Sequence, residues 1–441
     1  MRTRGRSSVT TAGPHSGRRG SIMKINKERL WEREMEIGEL GRDERGGISR
    51  FAWSPSYRQA ALLLMEWMKE AGLTVRVDTV GNIFGRYEGT DSSLSPVLTG
   101  SHLDTVPMGG KFDGLAGVMT ALEVLTSLRE QGYTPKRSIE MVAFINEEAS
   151  QFLGGHFGSK AMCGMLPEDF ASTSIDRNTG ETMKEAMIRY DLGLEPDNFP
   201  GSYIHEKDYF SFIELHIEQG RYLLEKDLPL AVVDDIAGIH QFYITYHGES
   251  AHAGGMAMED RHDAFAAAAE TACEVERLAL SSGSPTRGTV GFVQVEPNEH
   301  NIVANKVKFS VDFREAEDRI WERLYKDVIA FAEKQCEKRG LTYEAEMTIS
   351  TAPCHCHPVI RELIEECALQ NDIPHMHMVS YPAHDAMQMG RLYPMGMIFL
   401  RSSNGGVSHC PDEYTTKDDL GKGAVVLYDT LKKLSQMESI E

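Results

Sequence analysis

Residues 96–148 read PVLTGSHLDTVPMGGKFDGLAGVMTALEVLTSLREQGYTPKRSIEMVAFINEE, and their periodicity sets the architecture. Pro96-Val97-Leu98-Thr99 is a short, continuous apolar run of the kind a buried strand carries. From Gly114 to Arg129, Val118, Leu122, Leu125 and Leu128 recur at helical spacing, which predicts a helix with one apolar face. Ile139 to Ile145 is a second buried strand. Strand, helix and strand, with no polar alternation in either strand, imply a largely parallel sheet covered on both faces. Upstream, Leu64, Trp67, Met68 and Ala71 predict a helix over 58–72, followed by a strand over 74–80, a Gly81-Asn82 turn and a short strand through Ile83 and Phe84. The texture changes near Ala237. A strand over 241–247, a helix over 263–280, strands over 289–295 and 306–313 and a helix over 320–338 make an α+β unit. From about Ala352 the chain returns to helix, strand (395–400) and helix (420–434). The expected fold is an α/β domain with a mixed, largely parallel sheet flanked by helices, built from 23–236 and 351–441. A smaller α+β domain, 237–350, is inserted in it, and 1–22 is expected to be a disordered extension.

Composition narrows the function classes. The chain has 441 residues, and 41% hydrophobic with 25% charged content is ordinary globular usage. A net charge of −20 argues against a surface that neutralises phosphate backbones, so no nucleic-acid partner is expected. The apolar run Ala60–Met65 stops at Glu66, far short of the ~18 residues that span a bilayer, so no membrane partner is expected either. Seven dispersed cysteines form no disulfide framework and point to reduced thiols in the cytoplasm. The first 26 residues hold five arginines and Lys24 but no acid, which suits a targeting peptide or an upstream extension with Met23 as the start.

Five segments put metal-type side chains where strands end: Ser101-His102-Leu103-Asp104-Thr105, Gly110-Lys111-Phe112-Asp113-Gly114, Asn146-Glu147-Glu148, Leu215-His216-Ile217-Glu218-Gln219 and Ser408-His409-Cys410-Pro411. Each alone is a weak signal. Together they supply three imidazoles and several carboxylates, the donor set of a hydrolase with two divalent ions. Two cations ~3.5–4 Å apart need a shared carboxylate, and Asp113, flanked by glycines, suits that place. His102 and His216 then serve one ion, Glu148 and His409 the other, giving mixed N/O sites for zinc, manganese or cobalt. Asp104, two residues beyond His102, is placed to hold the second imidazole nitrogen. Glu147 is left as general base for the attacking water and as the group that returns its proton to the leaving nitrogen.

The order HLDTV, GGKFDG, NEE, HIEQG and a late SH-x-P resembles the aminoacylase/carboxypeptidase-type dinuclear metallohydrolases. HIEQG together with the downstream Gly-Glu-Ser-Ala-His-Ala-Gly is similar to the hydantoinase/carbamoylase branch, over about residue 27 to the C-terminus. The resemblance implies a catalytic domain with an inserted lid and dimerisation domain, a homodimer and two metal ions. It implies hydrolysis of the carbamoyl C–N bond of N-carbamoyl-L-amino acids, or of allantoate or β-ureidopropionate. A deacylase, a peptidase or an inactive metal-binding protein are more distant readings. It also implies substrate contacts for Gln219, Asn301, Arg314 and His384, and polarisation of the scissile carbonyl by His252. Several loops depart from the branch pattern, among them Gly255-Met256-Ala257-Met258 after the His252 loop, Val303-Ala304-Asn305 after Asn301, and Cys410 where Asn is common. These changes bear on which substrate fits, while every proposed ligand is present.

Cys354-His355-Cys356-His357 imitates a metal cluster, but alternation in an extended segment sends the cysteines and histidines to opposite sides. Cys410 as a thiol nucleophile, and His375 and His377 as site residues, are weaker readings than structural ones.

Overall fold

The computed structural model describes residues 24–152 and 154–440; the expected extension 1–22 lies outside them. The chain forms two compact units. One holds the chain to Asp234, His355–Met378 and the chain from His384 on; the other holds Asp235–Cys354 and Val379–Ala383.

The larger unit contains β1 (Thr74–Val77), β2 (Ile83–Tyr87), β3 (Val97–His102), β4 (Ile139–Phe144), β5 (Ser211–Ile217) and β6 (Leu230–Ile236). The smaller unit follows with β7 (Gly238–His247), β8 (Arg287–Thr289), β9 (Val293–Glu296), β10 (Lys306–Glu315) and β11 (Thr342–Thr351), after which β12 (Cys354–His355), β13 (His375–Ser380) and β14 (Met395–Leu400) complete the first sheet. That nine-stranded sheet runs β1-β2-β4-β3-β5-β14-β6-β12, with β13 on β6. β4, β3, β5 and β14 are parallel, and antiparallel β2 and β6 flank them. The mixed α/β architecture is as the apolar runs imply: β3, β4, β5 and β14 are buried along their whole length.

The helix Leu115–Glu130 differs from its expected one-faced pattern. Every residue from Leu115 to Leu128 is buried, because the helix packs on β3 and β5 while Lys27–Gly38 and Lys417–Leu434 cover it from outside. Its buried acid is partnered: Arg29 closes on Glu123 at 2.7 Å. Helix Lys27–Gly38 lies in a charged stretch from which no apolar stripe was read.

In the smaller unit, β11-β7-β10-β8 form an antiparallel sheet with β9 also on β10. Its alternating inward residues (Phe242, Ile244, Val307, Phe309, Val311, Phe313) pack with helices Ala264–Ser281 and Asp318–Arg339. The expected strand 289–295 is broken at Val290-Gly291-Phe292 into β8 and β9. β11 escaped the sequence reading although Tyr343, Ala345, Met347 and Ile349 alternate with polar residues; it is an edge strand exposed along most of its length, so that alternation buries little. The segment Val379–Ala383 belongs with this unit, held where Ala237 N–H donates to Ser380 O at 2.8 Å. Among the described residues, no helix is long and apolar enough to cross a membrane.

Candidate metal centre

The C-terminal ends of the parallel strands deliver the donors. His102 ends β3, Asn146-Glu147-Glu148 follow β4, and His216 lies inside β5 rather than beyond it. Asp113 sits in the turn that starts the buried helix. Gly114 there has φ +66° and ψ −49°, and a Cβ would stand 2.4 Å from the His102 ring. Gly117, one turn later, brings the helix so near β5 that a Cβ would meet Leu215 O at 2.2 Å. The turn is fixed from the far end of the chain. Glu413 Oε1 accepts from Phe112 N–H (2.9 Å) and Asp113 N–H (3.0 Å), while its Oε2 accepts from the Ser408 hydroxyl at 2.7 Å.

Around Asp113 the side chains converge. Its Oδ1 lies 3.3 Å from His102 Nε2 and 3.1 Å from His216 Nε2, and its Oδ2 lies 3.2 Å from His409 Nε2. His409 Nε2 is also 3.5 Å from Glu148 Oε1. Two donor groups able to hold a cation result, His102–Asp113–His216 and Asp113–Glu148–His409, and they share Asp113. A third group, His102–Glu147–Glu148, overlaps them. The hydrogen bonds support a cation site. Asp104 O (3.1 Å) and Ile217 O (2.9 Å) face the Nδ1 atoms of His102 and His216, which commits Nδ1–H and leaves the Nε2 lone pairs directed at Asp113. Gly114 N–H donates to His216 Nε2 at 3.1 Å, consistent with that tautomer. Glu148 Oε1 is buried without a hydrogen-bond partner. Lone pairs and carboxylates this close are stable only around positive charge, and the imidazole and carboxylate set is that of a divalent transition metal.

The electrostatics follow. Burial favours neutral His102, but Glu147 and Asp113 outweigh it and hold the ring well above its usual range. Burial would raise Asp113, yet His216, His102 and His409 hold it well below the usual carboxylate range. Burial also works against ionised Glu147, and His156 with His102 overcome it, bringing Glu147 to about 2. Glu148 is pushed well up by burial, then by Asp113 and Glu147, so its ionised form needs a compensating cation.

The other expected residues divide between the units. Asp104 differs from its expected geometry: its carboxylate is 4.0 Å from His102 Nδ1, and its oxygens instead accept from Glu147 N–H and Glu148 N–H, both at 3.1 Å. Local alternation placed the side chain correctly on the His102 side, while the turn after β4 brought closer donors. Gln219 Nε2 donates to Asp113 Oδ2 at 2.7 Å. His384 is buried with its ring 4.5 Å from that of His216, and burial pushes it well down. In the smaller unit, His252 pairs with Ile302 across an isolated bridge and Ala253 N–H donates to Asn301 O, so His252 and Asn301 share one loop pair. Arg314, on β10, donates to Asp312 (3.3 Å) and to Tyr381 O (3.0 Å).

Four further residues escaped the sequence reading. His156 Nε2 is 3.0 Å from Glu147 Oε1, brought there because the loop closes with His156 N–H on Glu147 O. Glu214 accepts from Ser101 (2.7 Å) and Ala386 N–H (2.8 Å); its place two residues before His216 on one strand face was the available signal. Asp385, bonded by Ser159, is raised to about 8 by burial, then by Glu147 and Glu214. Glu413 is the fourth. The Cys354–His357 segment is absent from the cation-competent groups among the described residues, and His377 is held by Asp234 at 2.8 Å.

A mixed sheet whose strand ends gather histidines and acids around a shared aspartate defines a metallohydrolase-type centre. Residues 98–433 match the model of peptidase family M20/M25/M40, and the chain belongs to that family. Within it the chain is an amidohydrolase of the hydantoinase/carbamoylase branch. An N-carbamoyl-L-amino acid amidohydrolase of Geobacillus stearothermophilus is 38% identical over 414 residues, covering 94% of this chain and 100% of the relative. An allantoate amidohydrolase of Bacillus subtilis is 34% identical over 399 residues, covering 90% and 95%. The crystal structure of a hydantoinase/carbamoylase family amidase from Burkholderia multivorans superposes with a TM-score of 0.87 at 31% identity, over 95% of this chain and 100% of that one.

Proposed function

We propose that this protein hydrolyses the terminal carbamoyl C–N bond of N-carbamoyl-L-amino acids, releasing the amino acid, carbon dioxide and ammonia. The observation that supports it best is Asp113, whose two oxygens lie 3.1–3.3 Å from three imidazole nitrogens with Glu147 alongside. His102 and His216 would hold one divalent ion and Glu148 and His409 the other, with Asp113 shared; zinc, manganese or cobalt suit these donors. Bound there, such ions polarise a carbonyl and lower the pKa of a water.

The protein's own groups supply the rest. Glu147, ionised at neutral pH, takes a proton from the attacking water. The water oxygen bonds the carbamoyl carbon, the bond to the terminal nitrogen breaks, and Glu147 returns the proton so that ammonia leaves. The remaining carbamate loses carbon dioxide and frees the amine. Asp104 fixes the backbone of Glu147 and Glu148, so it orients the base through its peptide. We assign His252 to the scissile carbonyl oxygen, Arg314 and Asn301 to the substrate carboxylate, and Gln219 and His384 to further substrate contacts. A planar guanidinium grips a carboxylate with paired hydrogen bonds. The unbridged thiols suit a cytoplasmic location, and the resemblance to the hydantoinase/carbamoylase branch implies a homodimer.

Ammonia release from a panel of N-carbamoyl-L-amino acids, β-ureidopropionate and allantoate tests the reading; the relative in Bacillus subtilis makes allantoate the second substrate to try. Glu147→Gln is expected to keep the metal, counted by elemental analysis, and to lose turnover. Near-full activity of that variant refutes the role.

A further inference from the structure

β13 pairs with β6 in the larger unit's sheet and opens with His375-Met376-His377-Met378. Residues two apart on a strand share a face, so the imidazoles leave one side and the thioethers the other. Helix Pro358–Gln370 carries Arg361 and Glu365 one turn apart. Glu365 meets both rings. Its Oε1 lies 3.8 Å from His375 Nε2, and its Oε2 lies 3.5 Å from His377 Nε2.

These separations are too long for N–H···O hydrogen bonds. They match two ligands of one ion, which stand about 3–4 Å apart when each is ~2.0–2.2 Å from the metal. The opposite ring nitrogens are already committed. Ile373 O faces His375 Nδ1 at 3.0 Å, and Asp234 Oδ1 faces His377 Nδ1 at 2.8 Å. Acceptors there place the proton on Nδ1 and direct each Nε2 lone pair at Glu365, the arrangement in which imidazoles ligate metals. Asp234 is itself fixed by Arg361 Nη1 at 2.9 Å. His375 is 2% exposed, and its Nε2 has no hydrogen-bond partner. A buried lone pair aimed at a carboxylate is a repulsive contact that a cation between the two relieves. With both rings neutral, Asp234 and Glu365 against Arg361 leave one negative charge among these groups.

We propose that His375, His377 and Glu365 form a further cation site, sharing no residue with the centre around Asp113, for a late divalent transition ion such as zinc, nickel or copper(II). Two imidazoles and a carboxylate are donors that such ions take in preference to magnesium or calcium. The trio is more open than the groups around Asp113. His377 and Glu365, at 35% and 34% exposed, have room to close on the ion, while buried His375 stays fixed. A bound ion ties β13 to helix Pro358–Gln370, and because it binds the folded arrangement it stabilises the larger unit. The site does not depend on the proposed function.

Nickel(II) titrated calorimetrically into the zinc-loaded holoenzyme tests the site, with elemental analysis of both metals before and after. The wild type is expected to take up one nickel ion per chain with its zinc count unchanged. His377→Gln and Glu365→Gln each remove a ligand at a half-buried position, and circular dichroism verifies their folding. Altering only a group behind a ligand costs about 10–100-fold in metal affinity, so each is expected to weaken nickel binding by at least about tenfold. Asp234→Asn, which touches no ion, is expected to weaken it by about 10–100-fold. Nickel should raise the thermal unfolding midpoint of the wild type and leave that of His377→Gln unmoved. Copper(II) in place of nickel should give a pulsed electron paramagnetic resonance signature of two coordinated imidazoles. The inference is overturned if the wild type takes up no nickel beyond its zinc, the result for a pair of rings that serves only a proton. It is equally overturned if both glutamine variants bind nickel as the wild type does, which places the ion elsewhere.

Discussion

Glu413 offers the sharpest test of how the centre is held together. It is buried, and its two oxygens take the Phe112 and Asp113 amides at 2.9 and 3.0 Å and the Ser408 hydroxyl at 2.7 Å. Glu413→Ala removes all three acceptor contacts. An orphaned buried donor costs about 1–3 kcal/mol, so the two amides alone set a range of about 2–6 kcal/mol. Two corrections act in opposite directions. The vacated space adds a cavity cost, while burying the carboxylate beside Asp113 already penalises the wild type, as its upward-shifted pKa records. The net expectation is a loss of about 2–5 kcal/mol in the larger unit. Glu413→Gln keeps an oxygen for both amides and turns its NH₂ toward the Ser408 oxygen, so it is expected within about 1 kcal/mol of wild type. The assay is urea unfolding of metal-free protein, followed by fluorescence. Trp31 reports on the site directly, since its ring packs 5.8 Å from Phe112 and 6.2 Å from Tyr414. An alanine variant within about 1 kcal/mol of wild type, or a glutamine variant as damaged as the alanine, refutes the hydrogen-bond account.

Gly114→Ala places a Cβ 2.4 Å from the His102 ring at a backbone angle that costs an L-residue about 1–3 kcal/mol; metal affinity by chelator competition is expected to fall by about tenfold or more, and an unchanged affinity refutes the packing argument. His156→Ala should lower kcat by about 10–100-fold with metal content kept, because it releases Glu147; partial rescue by His156→Gln marks positioning, and an unaltered kcat rules it out. His240 stacks on Trp321 at 3.8 Å with its rings nearly parallel, and burial lowers it to about 4. The unfolded chain then binds a proton near pH 6.5 that the folded unit refuses, so stability falls as pH drops from about 6.5 toward 4. His240→Phe should flatten that acid limb in unfolding followed by fluorescence; an unchanged pH slope refutes the assignment.

The site was legible to different depths. Periods of apolar residues are local, so the strand–helix–strand core around 96–148 could be read before any contact was known, and with it the turns that carry His102, Asp113 and Glu147. Where burial did not follow local pattern, the reading failed. Helix Lys27–Gly38 and strand β11 carry mostly polar residues, and their order comes from what they pack against or pair with. His156 gave no signal, because only the closure of its loop puts it against Glu147.

The order and type of the donors belong to the polymer alone: three imidazoles and their acids at strand ends, an aspartate between glycines, and the motif order that marks the branch. Tertiary structure decided the partners. It set Asp113 among His102, His216 and His409, moved the Asp104 carboxylate from the imidazole to the Glu147 and Glu148 amides, and set Glu365 against His375 and His377. The physical reason is range. Side-chain periodicity is written over a few residues, whereas strand register and packing bring together groups hundreds of residues apart, and no local pattern encodes which donor arrives nearest.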